Sequence, residues 1–224
     1  MGTDNLFHKR NARAVEAHQR KKASRAPYQR VLIVCEGEKT EPLYFRCLRR
    51  HLGLHPANLV IADKKRGLDP QSLVAYALDE LRKDPDFNDV YCVFDKDKHT
   101  TYQAALDRIG AVRLKSGTRL HAITSVPCFE VWILLHFEYT TKPFQTAAGD
   151  SNCALVVAEL RKNGRIPGYE KGSADIFQLL TDKLDDAVRH ARQLDEYCAA
   201  SGSDNPSTRV YKLVEYLKGL RQSM

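Results

Sequence analysis

The chain has 224 residues, 43% of them hydrophobic, which is enough to bury one full core and about the size of one large domain. No apolar run approaches the length of a bilayer-crossing helix, and no apolar stretch follows the polar, basic start, so neither a membrane span nor a secretory signal is supported and a cytoplasmic location is expected. The 35 Lys and Arg against 28 Asp and Glu leave a formal charge of +7, which favours polyanionic partners without naming one.

Much of the basic excess sits in residues 1–30, at Lys9, Arg10, Arg13, Arg20, Lys21, Lys22, Arg25 and Arg30, opposed only by Asp4 and Glu16. That segment has no wide apolar face, so it reads as a partly helical or disordered arm, either simply solvated or touching phosphates without sequence preference. Val31 to Cys35 is a continuous, β-branched apolar run ended by Glu36-Gly37-Glu38, the pattern of a buried strand. Thr40 then offers an N-cap and Glu41 suits the first turn of a helix carrying Leu43, Phe45, Leu48 and Leu52.

The alternation continues with a strand over 58–62, a helix over 70–82, a strand over 89–94, a helix over 102–114 and a strand over 120–125. Strand and helix taking turns predict an α/β fold, a mostly parallel sheet flanked by helices over 31–138. In such a sheet, ligands sit beyond the carboxyl ends of the strands. Phe129 to Phe137 predicts an apolar helix beside the sheet, and helices over 155–162, 176–197 and 207–220 make residues 139–224 a helical C-terminal part. Six cysteines without any C-x-x-C pair predict reduced core thiols and argue against zinc.

Two acidic clusters share one structural address, the carboxyl end of a buried strand: Glu36-Gly37-Glu38 after the first, and Asp95-Lys96-Asp97 after the third. Clustered carboxylates repel unless something positive neutralises them, and Mg²⁺ or Mn²⁺ takes oxygen ligands at that kind of site. The competing reading is that the acids cap helices or lie in solvated loops. Glu38 rivals Glu36, since both leave the same strand end. Glu130, at the start of the apolar helix, is a weaker candidate. Lys39, Lys96, Lys98 and His99 interleave with the acids and are candidates to hold a phosphate or to stabilise developing charge. His136 and Trp132 read as core. No phosphate-binding glycine loop and no Ser/His/Asp arrangement is present, so any nucleotide hydrolysis falls to a partner.

The string Leu32-Ile33-Val34-Cys35-Glu36-Gly37-Glu38-Lys39-Thr40-Glu41-Pro42 with Tyr44-Phe45, then Phe94-Asp95-Lys96-Asp97, Pro127-Cys128-Phe129-Glu130-Val131-Trp132 with Leu135-His136-Phe137, and Asn205-Pro206-Ser207-Thr208, resembles the RloB-like family of bacterial defence-associated proteins. That family is similar to Toprim domains of topoisomerases, primases and OLD-type nucleases. The resemblance implies a Toprim or Rossmann-like fold and Mg²⁺-dependent (or Mn²⁺-dependent) cleavage of phosphodiester bonds in DNA or RNA. It implies Glu36, Asp95 and Asp97 as metal ligands and catalytic groups; Glu38, behind those ligands or at a second metal, and Lys39, as a catalytic phosphate holder, are added from their places beside those acids and not from the resemblance. It also implies a phage-defence role with an ABC-type or AAA-type ATPase partner. A non-catalytic adaptor on the same frame and a tRNA-directed nuclease are the alternatives, and the oligomeric state is left open.

Overall fold

A computed structural model describes residues 29–62, 67–97, 99–114, 117–146, 151–173 and 176–222. Most of the basic arm, residues 1–28, and Lys98 lie outside the described residues. Five strands form one sheet in the order β2-β1-β3-β4-β5. Strands β1 (Val31–Cys35), β2 (Leu59–Ile61), β3 (Asp89–Asp95) and β4 (Arg119–Val126) are parallel neighbours, and β5 (Ser207–Thr208) closes the edge antiparallel to β4. Among the described residues no helix is long and apolar enough to cross a membrane.

Period-two alternation divides the core. Val31, Ile33, Tyr91, Val93 and Ile123 face one side, while Leu32, Val34, Val90, Cys92 and Phe94 face the other, so both faces of the central strands are buried. On the second side lie α2 (Pro70–Lys83) and α3 (Tyr102–Ala111), contributing Leu73, Val74, Ala77 and Ala105. The first side takes α1 (Thr40–His51), α4 (Glu130–Leu134), α5 (Asn152–Arg161), α6 (Ile176–Leu180), α7 (Leu184–Ser201) and α8 (Val210–Gln222). The helical C-terminal part is therefore the second half of one layer, joined to α1 through a shared apolar cluster.

Several expectations shift on contact with the structure. The helix expected over Phe129 to Phe137 is a single turn and a half, Glu130–Leu134, extended by turns. The helix expected over 176–197 is broken by a 3₁₀ turn, Thr181–Lys183. Residues 207–208, expected as the start of the last helix, pair with β4, where Ser207 opposes Val126 and Thr208 opposes Ser125. Thr208 still caps that helix, its Oγ1 accepting from the Val210 N–H at 3.3 Å. Thr40 is the first helical residue of α1, with Lys39 at the cap position. The Thr40 hydroxyl instead accepts from the Gly172 N–H at 2.9 Å. Asn205 bonds the Phe144 backbone in both directions, which makes that stretch a clasp between connections.

At the amino end of the sheet, away from the acidic clusters, the Asp89 carboxylate is buried and accepts from Arg119 (two contacts of 2.8 Å), His121 (2.7 Å) and the Tyr216 hydroxyl (2.8 Å). Burial works against its charged form, yet the bonds from His121, Arg119 and Tyr216 outweigh it and hold the carboxyl down to about 2, against an ordinary 3.8. A depressed folded pKa means that the stabilisation is complete above the ordinary value and is lost as pH falls towards the folded one. We expect on the order of 2 kcal/mol of stability to disappear between about pH 4 and pH 2 through this group. Urea titrations at stepped pH should show a flatter acid limb in Asp89→Asn; an unchanged limb would assign the acid sensitivity elsewhere.

Candidate metal centre

Strand β1 hands the chain through α1 to β2 on one side, while β3 and β4 build outward on the other, so the direction of winding reverses between β1 and β3. The carboxyl ends of those two strands flank the crevice where open α/β sheets bind ligands. Glu36 leaves β1 there, its N–H donating to the Val93 carbonyl at 2.8 Å, and its Oε2 accepts from the Asp95 N–H at 2.8 Å. The two acidic clusters predicted at matched strand ends are thus stitched together directly.

In the first turn of α1, Glu41 points back into the same crevice and is only 7% exposed. Gly37 makes room for it: a Cβ at that position would lie 2.1 Å from Glu41 Oε2. Burial, with the charges of Glu130 and Glu36, pushes the Glu41 carboxyl up to about 7, against the pull of its own N–H and of Lys171. Asp95 is raised well above the usual carboxylate range by burial and by the charges of Glu41, Glu36 and Glu130, against a bond from the Phe129 N–H. Four carboxyl groups therefore share one poorly solvated space, and their mutual repulsion is what a bound cation would relieve.

Asp97 adds the strongest local sign of a missing partner. Its backbone sits at φ +21°, with its N–H donating to the Pro127 carbonyl at 3.1 Å. Its Oδ1 is buried and meets no hydrogen-bond donor among the described residues. An orphaned carboxylate oxygen beside four other carboxyl groups fits a hard divalent cation such as Mg²⁺, whose ligands are oxygens.

Cations and donors close the rim. His99 Nε2 is 2.8 Å from Glu36 Oε1. Glu130 is 1% exposed, with Oε1 accepting from the Tyr169 hydroxyl at 3.0 Å and Oε2 lying 3.2 Å from Lys171 Nζ. Of the residues predicted from sequence, Glu36, Glu38, Lys39, Asp95, Asp97, His99 and Glu130 line one cavity of about 580 Å³. Glu38 is exposed and accepts from the Gly67 N–H at 2.8 Å, so it ties down the neighbouring segment while facing the rim. Lys96 is not brought to the site; it pairs with Asp204 and lies 6.0 Å from the Tyr102 ring centroid. The structure also corrects the expectation of six reduced thiols, because Cys128 and Cys153, 25 residues apart, form a disulfide in the cavity wall.

Sequence reasoning passed over Glu41, Tyr169 and Lys171. Helix-dipole matching accounts for Glu41 as a first-turn acid, and the glycine four positions earlier is the available hint of a close approach. Tyr169 and Lys171 come from an irregular connection that carries no periodic signal. Gly37→Ala is expected to push the Glu41 carboxyl out of the crevice without unfolding the protein, weakening Mn²⁺ binding roughly tenfold. Calorimetric titration checks this, and an unchanged affinity would remove Glu41 from the ligand set.

The RloB-like protein family matches over residues 31–217, from the first residue of β1 into α8. The chain belongs to that family. No curated protein and no solved structure gives a significant match. The RloB-like region thus contains the whole sheet, the crevice and every residue of the candidate centre, and it leaves out the basic arm.

Proposed function

We propose that this RloB-like protein is a Toprim-type endonuclease that cleaves phosphodiester bonds with Mg²⁺ or Mn²⁺, serving phage defence beside an ATPase partner. The observation that carries the reading is the buried Asp97 Oδ1, without a hydrogen-bond partner among the described residues, in one cavity with the Glu36, Glu41, Asp95 and Glu130 carboxyl groups at the winding reversal of the sheet. Glu36, Asp95 and Asp97 would hold the cation, with Glu41 and Glu130 available to a second one. A cation bound there supplies Lewis-acid stabilisation of the phosphate and of the leaving oxygen and activates water.

The chain's own groups supply the rest. Lys39, exposed at the rim, holds a substrate phosphate by charge. His99 Nε2, at the outer edge of Glu36, is positioned to take or return a proton. Glu38 keeps the segment from Gly67 in place against the opening. These 224 residues contain no nucleotide-binding loop, so ATP hydrolysis is not assigned to them.

The test is incubation of purified protein with labelled single-stranded DNA, duplex DNA and total tRNA, in Mg²⁺, Mn²⁺ or EDTA, beside Asp97→Ala. Metal-dependent cutting that the variant lacks supports the reading and identifies the nucleic acid. Folded protein that cuts nothing, even with a candidate ABC-type or AAA-type ATPase and ATP added, would replace the nuclease with a non-catalytic adaptor.

A further inference from the structure

We propose that Cys128 and Cys153, when reduced, form with Glu130 a binding site for one thiophilic divalent cation of the zinc class, and that the disulfide is the closed form of that site. The inference goes beyond the nuclease reading and does not rest on it.

One ligand atom each from Cys128, Glu130 and Cys153 lies within 4.8 Å of the other two, and all three residues are buried. Two sulfurs and one carboxylate oxygen are a zinc-type donor set, and all three residues border the cavity, which leaves a fourth position open on that side. Zinc–sulfur bonds of about 2.3 Å in a tetrahedron put two thiolates about 3.8 Å apart. With their Cα atoms 5.7 Å apart, the two cysteines need only side-chain rotation to reach that separation.

A second observation points to a ligand here. Cys153 Sγ lies 3.2 Å from Glu130 Oε2, a hydrogen-bonding distance for sulfur. A disulfide sulfur carries no proton, so in the oxidised chain nothing on the sulfur bridges the two atoms. A cation supplies that bridge in the reduced form. Tyr169 occupies Glu130 Oε1 and so turns Oε2 towards the sulfurs, while Lys171 offsets the negative charge of two thiolates and a carboxylate around a divalent ion.

The sequence argued against zinc because its cysteines lack close spacing. Folding removes that objection, since the end of β4 and the start of α5 bring together residues 25 positions apart. Opening the site consumes a dithiol reductant: two electrons and two protons pass to the disulfide, giving two thiols, and the reductant leaves as its own disulfide. Cation binding then releases the two thiol protons.

Cobalt(II) is the probe, added without oxygen to the reduced full chain after thiol counting has confirmed that all six cysteines are free. The expected result is sulfur-to-cobalt charge-transfer absorption that reports one thiolate-held Co²⁺ per chain, apart from any ion the carboxylate centre takes up, displaced by Zn²⁺, absent from the oxidised protein and lost in Cys153→Ser. Cys128→Ser is the second variant should the first fail to fold. Asp95→Asn should keep the band, which separates this site from the carboxylate centre. The proposal is overturned by the absence of a thiolate band in the reduced chain, by a band that survives in both cysteine variants, or by its loss in Asp95→Asn.

Discussion

Under the proposed nuclease function, Asp95→Asn is expected to lower divalent-dependent cleavage at least about a hundredfold, and it should raise the melting temperature of the metal-free protein. Both effects come from one carboxylate. Burial and the charges of Glu41, Glu36 and Glu130 raise the Asp95 pKa, and Glu41 is raised to about 7. A raised folded pKa means that the metal-free protein has its full stability below the ordinary carboxylate range and loses it as pH rises through the folded value. At neutral pH and above, the wild-type protein therefore carries uncompensated repulsion, which asparagine reduces at nearly constant shape. Each kcal/mol recovered is worth about 2–4 °C in a chain of this size. Melting curves at stepped pH, with and without Mn²⁺, read both parts. Wild-type protein should gain more from Mn²⁺ as pH rises, and the variant should gain little. A variant that melts lower without metal and keeps its Mn²⁺ shift would leave the carboxylate cluster as a structural feature.

Trp132→Ala should cost about 3–5 kcal/mol, because it removes the largest fully buried side chain from the cluster that joins the sheet to the helical C-terminal part. Its ring meets Tyr44 and His136 edge-to-face, at centroid distances of 6.3 and 4.9 Å. Burial keeps His136 neutral, with its pKa lowered to about 4, and its Nδ1 lies 2.9 Å from the Trp132 carbonyl. Helix α4 is only five residues long and begins with Glu130, so loss of the Trp132 anchor also loosens a candidate ligand. Urea midpoints and Mn²⁺ affinity should fall together in Trp132→Ala and much less in Trp132→Phe. A large loss of stability with unchanged affinity would show that Glu130 is held by Tyr169 and Lys171 alone.

The parallel sheet could be read from the sequence because strands buried on both faces must be continuous apolar runs, and Val31 to Cys35 and Val90 to Phe94 have no other stable home. The acidic residues that end those runs were readable for the same reason: strand order places them side by side whatever the loops do. Strand β5 was not, since two residues, Ser207 and Thr208, are too short to show alternation and their pairing is fixed by Ser125 and Val126 from far along the chain. Glu41 was legible as a first-turn acid but its place in the crevice was not, because a first-turn acid satisfies the helix dipole equally well whether it faces solvent or a cluster of carboxylates. Tyr169, Lys171 and the Cys128–Cys153 pair depend on how irregular connections fold back over the crevice, and local pattern carries no information about that.

Calorimetric titration of Mn²⁺ into metal-free wild-type protein and into Asp95→Asn, at pH 7.5 with the cysteines kept oxidised, bears most directly on the carboxylate centre. Saturable binding by the wild type, at one or two ions per chain, and its loss in the variant is the expected outcome. Equal binding by both proteins, or none by either, would mean that Glu36, Glu41, Asp95, Asp97 and Glu130 are gathered at the sheet's edge for some purpose other than holding a cation.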